Sequence, residues 1–318
     1  MHVSWLSRSL LACICFFGLW LGLTASAETV PAPITAVACS PDGKEVVVGS
    51  QQGVEIRSTD ELCVIASLPT QLEHVHDLQF SPDGQTLLAA GGSPAEFGAV
   101  EVWDWSTRSL VRTVNDHDDL VYRVAWSPDG SQWATAGWDA VCHAFDSASG
   151  EKQVTYTGHS RPLLAIEYLP DGQLIGSAGI DQTIQLWHAK TGIAVRTLSN
   201  HVNTVNDIAV APRSATGALP ILVSVSDDKT VRLWQPTNGR LVRFFKLPSS
   251  PLTVDWLSAG QRFVVGCEDG TVRWFDAATL AQLRQEPVSP SPIISLAIYS
   301  TDGTVVAGTL SAGMLRFP

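Results

Sequence analysis

The stretch "GHSRPLLAIEYLPDGQLIGSAGIDQTIQLW", residues 158–187, contains His159, Ser177 and Asp181, the three residue types of a serine hydrolase triad. Such triads occur in several chain orders and are defined by their geometry, so the order of these residues does not establish a catalytic site. Recurrence of the same pattern elsewhere in the chain distinguishes a catalytic site from a repeated structural element.

The tetrapeptide Ser-Pro-Asp-Gly, or a decayed form of it, recurs every 41 to 46 residues. Each copy suits a type I turn, because Pro fixes φ and Gly closes the turn. Alternating apolar runs flank the turns, and a third run ends in an aromatic residue, as in "VEVWD", "TIQLWH" and "TVRLWQ". This pattern predicts an all-β chain of seven units with four short strands each. The units begin near residues 33, 74, 120, 162, 204, 250 and 293.

The repeats resemble the WD40 family, down to the Trp103-Asp104 dipeptide and the Gly158-His159 pair. The resemblance covers about residues 33–318 and implies a seven-bladed β-propeller. The chain ends at Phe317-Pro318, where the third strand of the last blade closes. Three alternatives follow: the last blade lacks its outer strand and has an open edge, residues 23–27 supply that strand, or a partner does.

Two neighbouring units repeat the triad. Together the three sets comprise His117, Thr135 and Asp139; His159, Ser177, Asp181 and Trp187; and His201, Ser224, Asp228 and Trp234. A hydrolase needs one exposed nucleophile beside an oxyanion hole and gains nothing from three copies. The WD40 resemblance implies a buried chain of hydrogen bonds from the indole through hydroxyl and imidazole to carboxylate. The sequence therefore predicts a structural network and no enzyme.

Composition narrows the partners. With 45% hydrophobic and 16% charged residues, the chain is expected to form a packed core. Its net charge of −11 argues against nucleic acid or an anionic membrane surface as a partner. No C-x-x-C-H or zinc-type cysteine pair occurs, so no cofactor or metal is expected. A monomeric propeller with a protein or peptide partner is the expectation.

The N-terminus has the layout of a secretory signal peptide over residues 1–27. An apolar run spans residues 10–23, and Ala25-Ser26-Ala27 is a small-x-small cleavage signal. This layout predicts an exported protein, periplasmic or extracellular, with the propeller in residues 28–318. The alternative is an uncleaved membrane anchor formed by residues 10–27.

The resemblance also suggests a working surface on the rim formed by the first-strand starts and the loops that follow the second strands. The candidate partner-binding residues there are Trp138, Tyr122, His76, Asn206, Asp227 and Glu268. The predicted function is an exported, non-catalytic scaffold that binds a protein through the propeller face. The alternative is an enzyme or small-ligand-binding protein using the central channel. That alternative needs carboxylates or histidines converging from several first strands, and His74 and His76 are the candidates that the sequence offers.

Overall fold

A computed structural model describes residues 32–212, 220–257, 260–287, 289–299, 303–311 and 313–318 of the chain. Within these residues the structure contains 27 β-strands in seven sheets and no helix. The seven sheets form a β-propeller, which confirms the predicted fold class. The predicted signal segment, residues 1–27, and the strand predicted for residues 23–27 lie outside the described residues.

Each of the first four blades is a sheet of four strands that follow one another along the chain. The strands are β1 (Ala36–Cys39), β2 (Glu45–Ser50), β3 (Gly53–Ser58) and β4 (Val64–Leu68); β5 (His74–Phe80), β6 (Thr86–Ser93), β7 (Phe97–Asp104) and β8 (Ser109–His117); β9 (Val121–Trp126), β10 (Gln132–Gly137), β11 (Cys142–Asp146) and β12 (Lys152–Tyr156); β13 (Leu163–Tyr168), β14 (Leu174–Gly179), β15 (Ile184–His188) and β16 (Ala194–Leu198).

The remaining three blades follow in the same way. Their strands are β17 (Val205–Val210), β18 (Leu222–Ser226), β19 (Thr230–Gln235) and β20 (Arg240–Lys246); β21 (Pro251–Trp256), β22 (Arg262–Cys267), β23 (Thr271–Asp276) and β24 (Gln282–Pro287); β25 (Ile293–Ile298), β26 (Val305–Thr309) and β27 (Met314–Phe317). In each blade the strands pair antiparallel in chain order. Among the described residues the seventh blade has three strands.

Burial within a blade follows from its neighbours. All six residues of β14 are buried, because both faces of this strand are covered by adjacent blades. In the outer strand β16, four of the five residues are exposed. A strand covered on both faces carries a nearly continuous apolar run, and this is what "LIGSAG" in β14 provides.

The core of the propeller is divided among the interfaces between blades. Each pair of neighbouring blades shares an apolar cluster, and these clusters follow one another around the ring. Blades 4 and 5 share a second, small cluster of Leu169, Leu174 and Leu186. The cluster between blades 7 and 1 joins Ile34 and Val37 to Ala297 and Tyr299. The Ile34 N–H also donates to the Thr309 carbonyl at 3.1 Å. These contacts close the ring within the described residues.

The first strands of six blades share an irregularity near their start. In blades 2 to 7 the pairing of the first strand with the second shifts by one residue, which is a β-bulge. The residues at the bulges are His76, Tyr122, Leu164, Asn206, Leu252 and Ile294, and all six are partly exposed. A bulge leaves one residue out of the ladder and re-aims its side chain. The bulges therefore place one partly exposed side chain per blade at the same end of the channel-lining strands.

If inter-blade packing holds the ring, truncating an interface residue must cost far more than truncating an outer-strand residue. Leu163 is fully buried between blades 3 and 4, whereas Leu283 on β24 is 50% exposed. We expect Leu163→Ala to lower the free energy of unfolding by about 2–5 kcal/mol through lost burial and a residual cavity. We expect Leu283→Ala to change it by less than about 0.5 kcal/mol. Urea denaturation of both variants measures this difference, and equal losses would contradict the packing argument.

Candidate functional site

The structure brings the residues of the opening stretch together in blade 4. His159 lies with Nδ1 2.8 Å from Asp181 Oδ2 and Nε2 2.8 Å from Ser177 Oγ. The indole N–H of Trp187 donates to the same Ser177 oxygen at 3.1 Å. The loop before β13, the second strand and the third strand of one blade are thus joined by a single chain of hydrogen bonds.

Blade 5 repeats this arrangement. His201 Nδ1 lies 2.7 Å from Asp228 Oδ2, and Nε2 lies 2.7 Å from Ser224 Oγ. The Trp234 indole N–H donates to Ser224 at 2.8 Å. A neutral ring with its proton on Nδ1 satisfies every member of the chain, because Ser224 then donates to Nε2 and accepts from the indole.

Blade 3 contains a shorter version of the same chain. His117 Nδ1 lies 2.9 Å from Asp139 Oδ2, and Nε2 lies 2.7 Å from Thr135 Oγ1. At the aromatic position stands Phe145, which stacks on Trp133 at 4.1 Å between ring centroids. Because phenylalanine has no N–H to donate, the chain ends at the hydroxyl.

Charge in these networks is set by opposing effects. Burial works to raise the pKa of Asp181, but the hydrogen bond and charge of His159 and two bonds from Thr183 outweigh it. They hold the pKa at about 2. Burial lowers the pKa of His201, against the opposing effect of Asp228. An ionised carboxylate facing a neutral imidazole is the resulting state of blade 5 at neutral pH.

The order of hydrogen bonds matches a serine hydrolase triad, but the hydroxyls have no access to a substrate. Ser177, Ser224 and Thr135 all have a relative exposure of 0%. A catalytic nucleophile must reach a substrate carbonyl near an oxyanion hole. The arrangement can fix loops to strands, and its buried hydroxyls are unsuited to attack.

The third strands carry a second polar position, two residues before the aromatic residue equivalent to Trp187, which the sequence patterns did not predict. It is occupied by Glu101, His143, Gln185, Arg232 and Arg273. In blade 2 the fully buried Glu101 accepts from the Trp103 indole at 3.1 Å and from the Gln71 backbone N–H at 2.8 Å. Residues two apart share one face of a strand, so the alternation of the third strands could have identified this position.

The central channel contains a cavity of about 230 Å³ lined by the first strands of all seven blades. Arg123 on β9 lies between two carboxylates, 2.5 Å from Asp207 and 3.5 Å from Asp77. Asp77 also accepts the Val124 backbone N–H at 2.9 Å, and Asp207 accepts the Val254 N–H at 3.0 Å. This ion pair links blades 2, 3 and 5 across the channel.

Two further carboxylates line the same cavity. Burial, together with repulsion from Asp255 and Asp207, raises the pKa of Glu167 to about 8. Burial also raises the pKa of Asp255 to about 7. This converging set of charged residues was not predicted from the sequence, because the alternation did not show which positions of the first strands face the channel. Within the described residues no group of three or more potential ligands could hold a metal ion.

Three of the predicted partner-binding residues meet in a row of rings across blades 2 and 3. His76 stacks on Tyr122 with ring centroids 4.8 Å apart, and Tyr122 lies 5.7 Å from Trp138. His74 extends the row at 6.2 Å from His76. We call His74, His76, Tyr122 and Trp138 the aromatic row; all four side chains are partly exposed.

The other three predicted residues lie elsewhere. Asn206 donates to Asp227 at 2.7 Å and to the Pro251 carbonyl at 2.9 Å, so it ties blade 5 to blade 6. Glu268 is exposed, and its backbone N–H donates to Ser250 at 2.9 Å. The structure thus separates an aromatic row from a polar pair and a single exposed carboxylate.

Comparison with known proteins identifies a family profile and several relatives. The profile described as "WD domain, G-beta repeat" matches residues 108–146, 150–188, 192–235 and 239–276, half of the chain. A periodic tryptophan protein 2 homolog of Dictyostelium discoideum is 30% identical over 217 residues, which are 66% of this chain and 22% of that relative. A guanine nucleotide-binding protein subunit beta of Arabidopsis thaliana is 29% identical over 81% of the chain and 71% of its own length. The nuclear distribution protein PAC1 of Coccidioides posadasii is 28% identical over 55% of the chain and 41% of its own length.

These relatives correct the localisation expected from the sequence. They are intracellular WD40 proteins, cytoplasmic or nuclear, and none of them indicates export. The prediction of an exported protein is therefore wrong, and the anchored alternative finds no support in these relatives. The prediction of export was based only on the composition of residues 10–27, an apolar run followed by small residues. No helix among the described residues has the length and apolar character needed to cross a membrane.

The buried hydroxyl of blade 4 serves two partners and that of blade 3 only one, which predicts unequal mutational costs. Ser177→Ala strands both His159 and the Trp187 N–H, so we expect a loss of about 1–3 kcal/mol in unfolding free energy. Thr135→Val, a replacement of similar shape, strands only His117 and should cost about 1 kcal/mol less than Ser177→Ala. Denaturant titration measures both, and equal costs would show that the indole bond contributes nothing.

The raised pKa of Glu167 predicts that stability falls as pH rises. In the folded protein Glu167 retains its proton up to about pH 8, whereas the unfolded chain releases it near the ordinary value of 4.5. Stability contributed by the protonated form is therefore lost progressively as pH rises between these values. We expect Glu167→Gln, which keeps a neutral side chain at every pH, to flatten this decline and to exceed wild type in stability at pH 9. Unfolding measured from pH 5 to pH 9 tests this, and parallel curves for both proteins would contradict it.

Proposed function

Because the chain belongs to the WD40 repeat family, we propose that it is a non-catalytic scaffold whose propeller face binds a protein or peptide partner. The binding surface in this proposal is centred on Trp138, Tyr122 and His76. The observation that carries the proposal is the aromatic row, in which partly exposed rings from two blades are held in contact.

Similarity to scaffolds supports this function. The WD40 relatives named above are protein-interaction scaffolds, and the guanine nucleotide-binding beta subunits bind protein partners. The net charge of −11 favours a protein partner over nucleic acid.

The position of the row within the fold supports its use as a binding surface. Two of its residues, His76 and Tyr122, are bulge residues of neighbouring first strands. Trp138 is fixed by its backbone N–H, which donates to the Leu120 carbonyl at 2.8 Å. Aromatic side chains held on rigid elements contribute binding area with little further loss of conformational entropy.

A channel enzyme is less favoured by the same geometry. An enzyme of this kind needs carboxylates that converge from several first strands, and Asp77, Glu167, Asp207 and Asp255 do converge on the channel. Two of them, Asp77 and Asp207, are already bound by Arg123 and by backbone N–H groups. The repeated His-Asp-hydroxyl chains have buried hydroxyls. Asp77, Asp207 and the His-Asp-hydroxyl chains are thus accounted for as ties between strands and blades.

Removing the rings should remove the partner while leaving the fold intact. In affinity purification, we expect the double variant Trp138→Ala and Tyr122→Ala to capture at most one tenth of the amount of partner protein that wild type captures. The matched control is Phe244→Ala, because Phe244 is 62% exposed on β20, away from the row. Quantitative mass spectrometry of captured proteins gives the comparison, and thermal unfolding establishes that both variants are folded.

Retention of the same partners by the double variant would refute the surface assignment. Loss of partners in Phe244→Ala to the same extent would refute it as well, because outer-strand contacts would then dominate binding.

A further inference from the structure

The surroundings of the aromatic row carry mostly negative charge. Arg123 is the one lysine or arginine in the segments that form the row and its surroundings, residues 71–77, 93–98, 116–123 and 137–140. Arg123 is held between Asp207 and Asp77. At the same end of the adjoining blade 4, Arg161 is exposed. The segments themselves carry exposed or partly exposed carboxylates at Glu73, Glu96, Asp118 and Asp119.

Three of these carboxylates lie in loops that are fixed to one another and to the row. Asp119 Oδ1 accepts the Ala95 backbone N–H at 2.9 Å, which joins the loop of blade 3 to that of blade 2. Glu96 accepts from Ser93 Oγ at 3.1 Å. Asp118 donates its N–H to Asp139 at 3.2 Å, and Leu120 accepts the Trp138 N–H. The acidic loops and the Trp138 ring therefore form one preorganised surface.

His76 does not oppose a positive ligand at neutral pH. Burial and the neighbouring His74 lower the pKa of His76 to about 4, so its ring is neutral. Its Nε2 atom is buried and has no hydrogen-bond partner among the described residues. The stacked rings of His76, Tyr122 and Trp138 present π-faces, and such faces attract an ammonium or guanidinium group.

We propose that the aromatic row and the carboxylates of Glu96, Asp118 and Asp119 bind a basic peptide segment, with a lysine or arginine side chain packed over the rings. This inference rests on the proposed function and specifies the chemistry of the partner. The rings supply cation–π contact with the side chain, and the carboxylates attract the positive charge. The acidic surface also disfavours a negatively charged partner.

The test uses the full chain and two labelled peptides. One is a fluorescein-labelled peptide of lysines separated by Gly-Ser pairs, and the other has glutamate in place of each lysine. Fluorescence anisotropy should show binding of the lysine peptide and none of the glutamate peptide. We expect binding at least tenfold weaker for Trp138→Ala and for the triple variant Glu96→Gln, Asp118→Asn and Asp119→Asn. Trp138→Phe, which keeps an aromatic face, should restore most of the affinity.

A matched charge control separates a site from general electrostatic attraction. Asp60→Asn, Glu61→Gln and Glu151→Gln remove three exposed carboxylates from loops at the opposite ends of the strands. This control variant should bind the lysine peptide within twofold of wild type. Equal weakening in both triple variants, or no binding by wild type, would overturn the proposal.

Two further measurements distinguish this inference from the proposed function. If the double variant at Trp138 and Tyr122 loses its captured partner but the triple variant at Glu96, Asp118 and Asp119 keeps it, the basic partner is refuted and the scaffold surface stands. Light scattering of wild type and Trp138→Ala tests a second copy of the chain as occupant. A wild-type dimer that Trp138→Ala converts to monomer would overturn the basic-peptide assignment.

Discussion

Apolar packing between neighbouring blades is the interaction on which the rest of the structure depends. Each four-stranded sheet is covered on both faces, and apolar clusters pass from blade to blade around the ring. A single blade would leave both faces in water, so stability is shared among repeats that bury one another. Closure follows the same rule, since Ile34 and Val37 complete the last interface against Ala297 and Tyr299.

Polar networks then determine how the loops attach to this apolar frame. The His159 and His201 chains connect a loop, a second strand and a third strand, and every member has a partner. In blade 2 a buried carboxylate, Glu101, makes an equivalent tie with a different residue type. The channel ion pair of Arg123 does the same between blades. These buried polar groups are retained because each is satisfied, and loss of one partner would leave the others stranded.

The proposed binding surface depends on both the apolar packing between blades and the polar networks. Bulges at the start of the first strands leave one side chain partly exposed in each of six blades. Trp138 lies beside the bulge residue Tyr122, which stacks on the bulge residue His76. Hydrogen bonds from the Asp118 N–H to Asp139 and from the Trp138 N–H to Leu120 hold the loop that carries Trp138. A surface assembled from rings and fixed acidic loops requires little reorganisation when a partner binds.

The sequence by itself determined the repeat, the all-β class and the identity of the His-Ser-Asp-Trp sets, because turn residues and alternation are local and recur along the chain. It also indicated Trp138, Tyr122 and His76 as candidate partner-binding residues. Only the tertiary structure decided that these three stack, that Asn206 instead ties Asp227 to Pro251, and that Arg123 meets Asp207 across the channel. Those contacts join residues many positions apart, and they depend on how the ring closes and where each bulge turns a side chain, which no local pattern specifies.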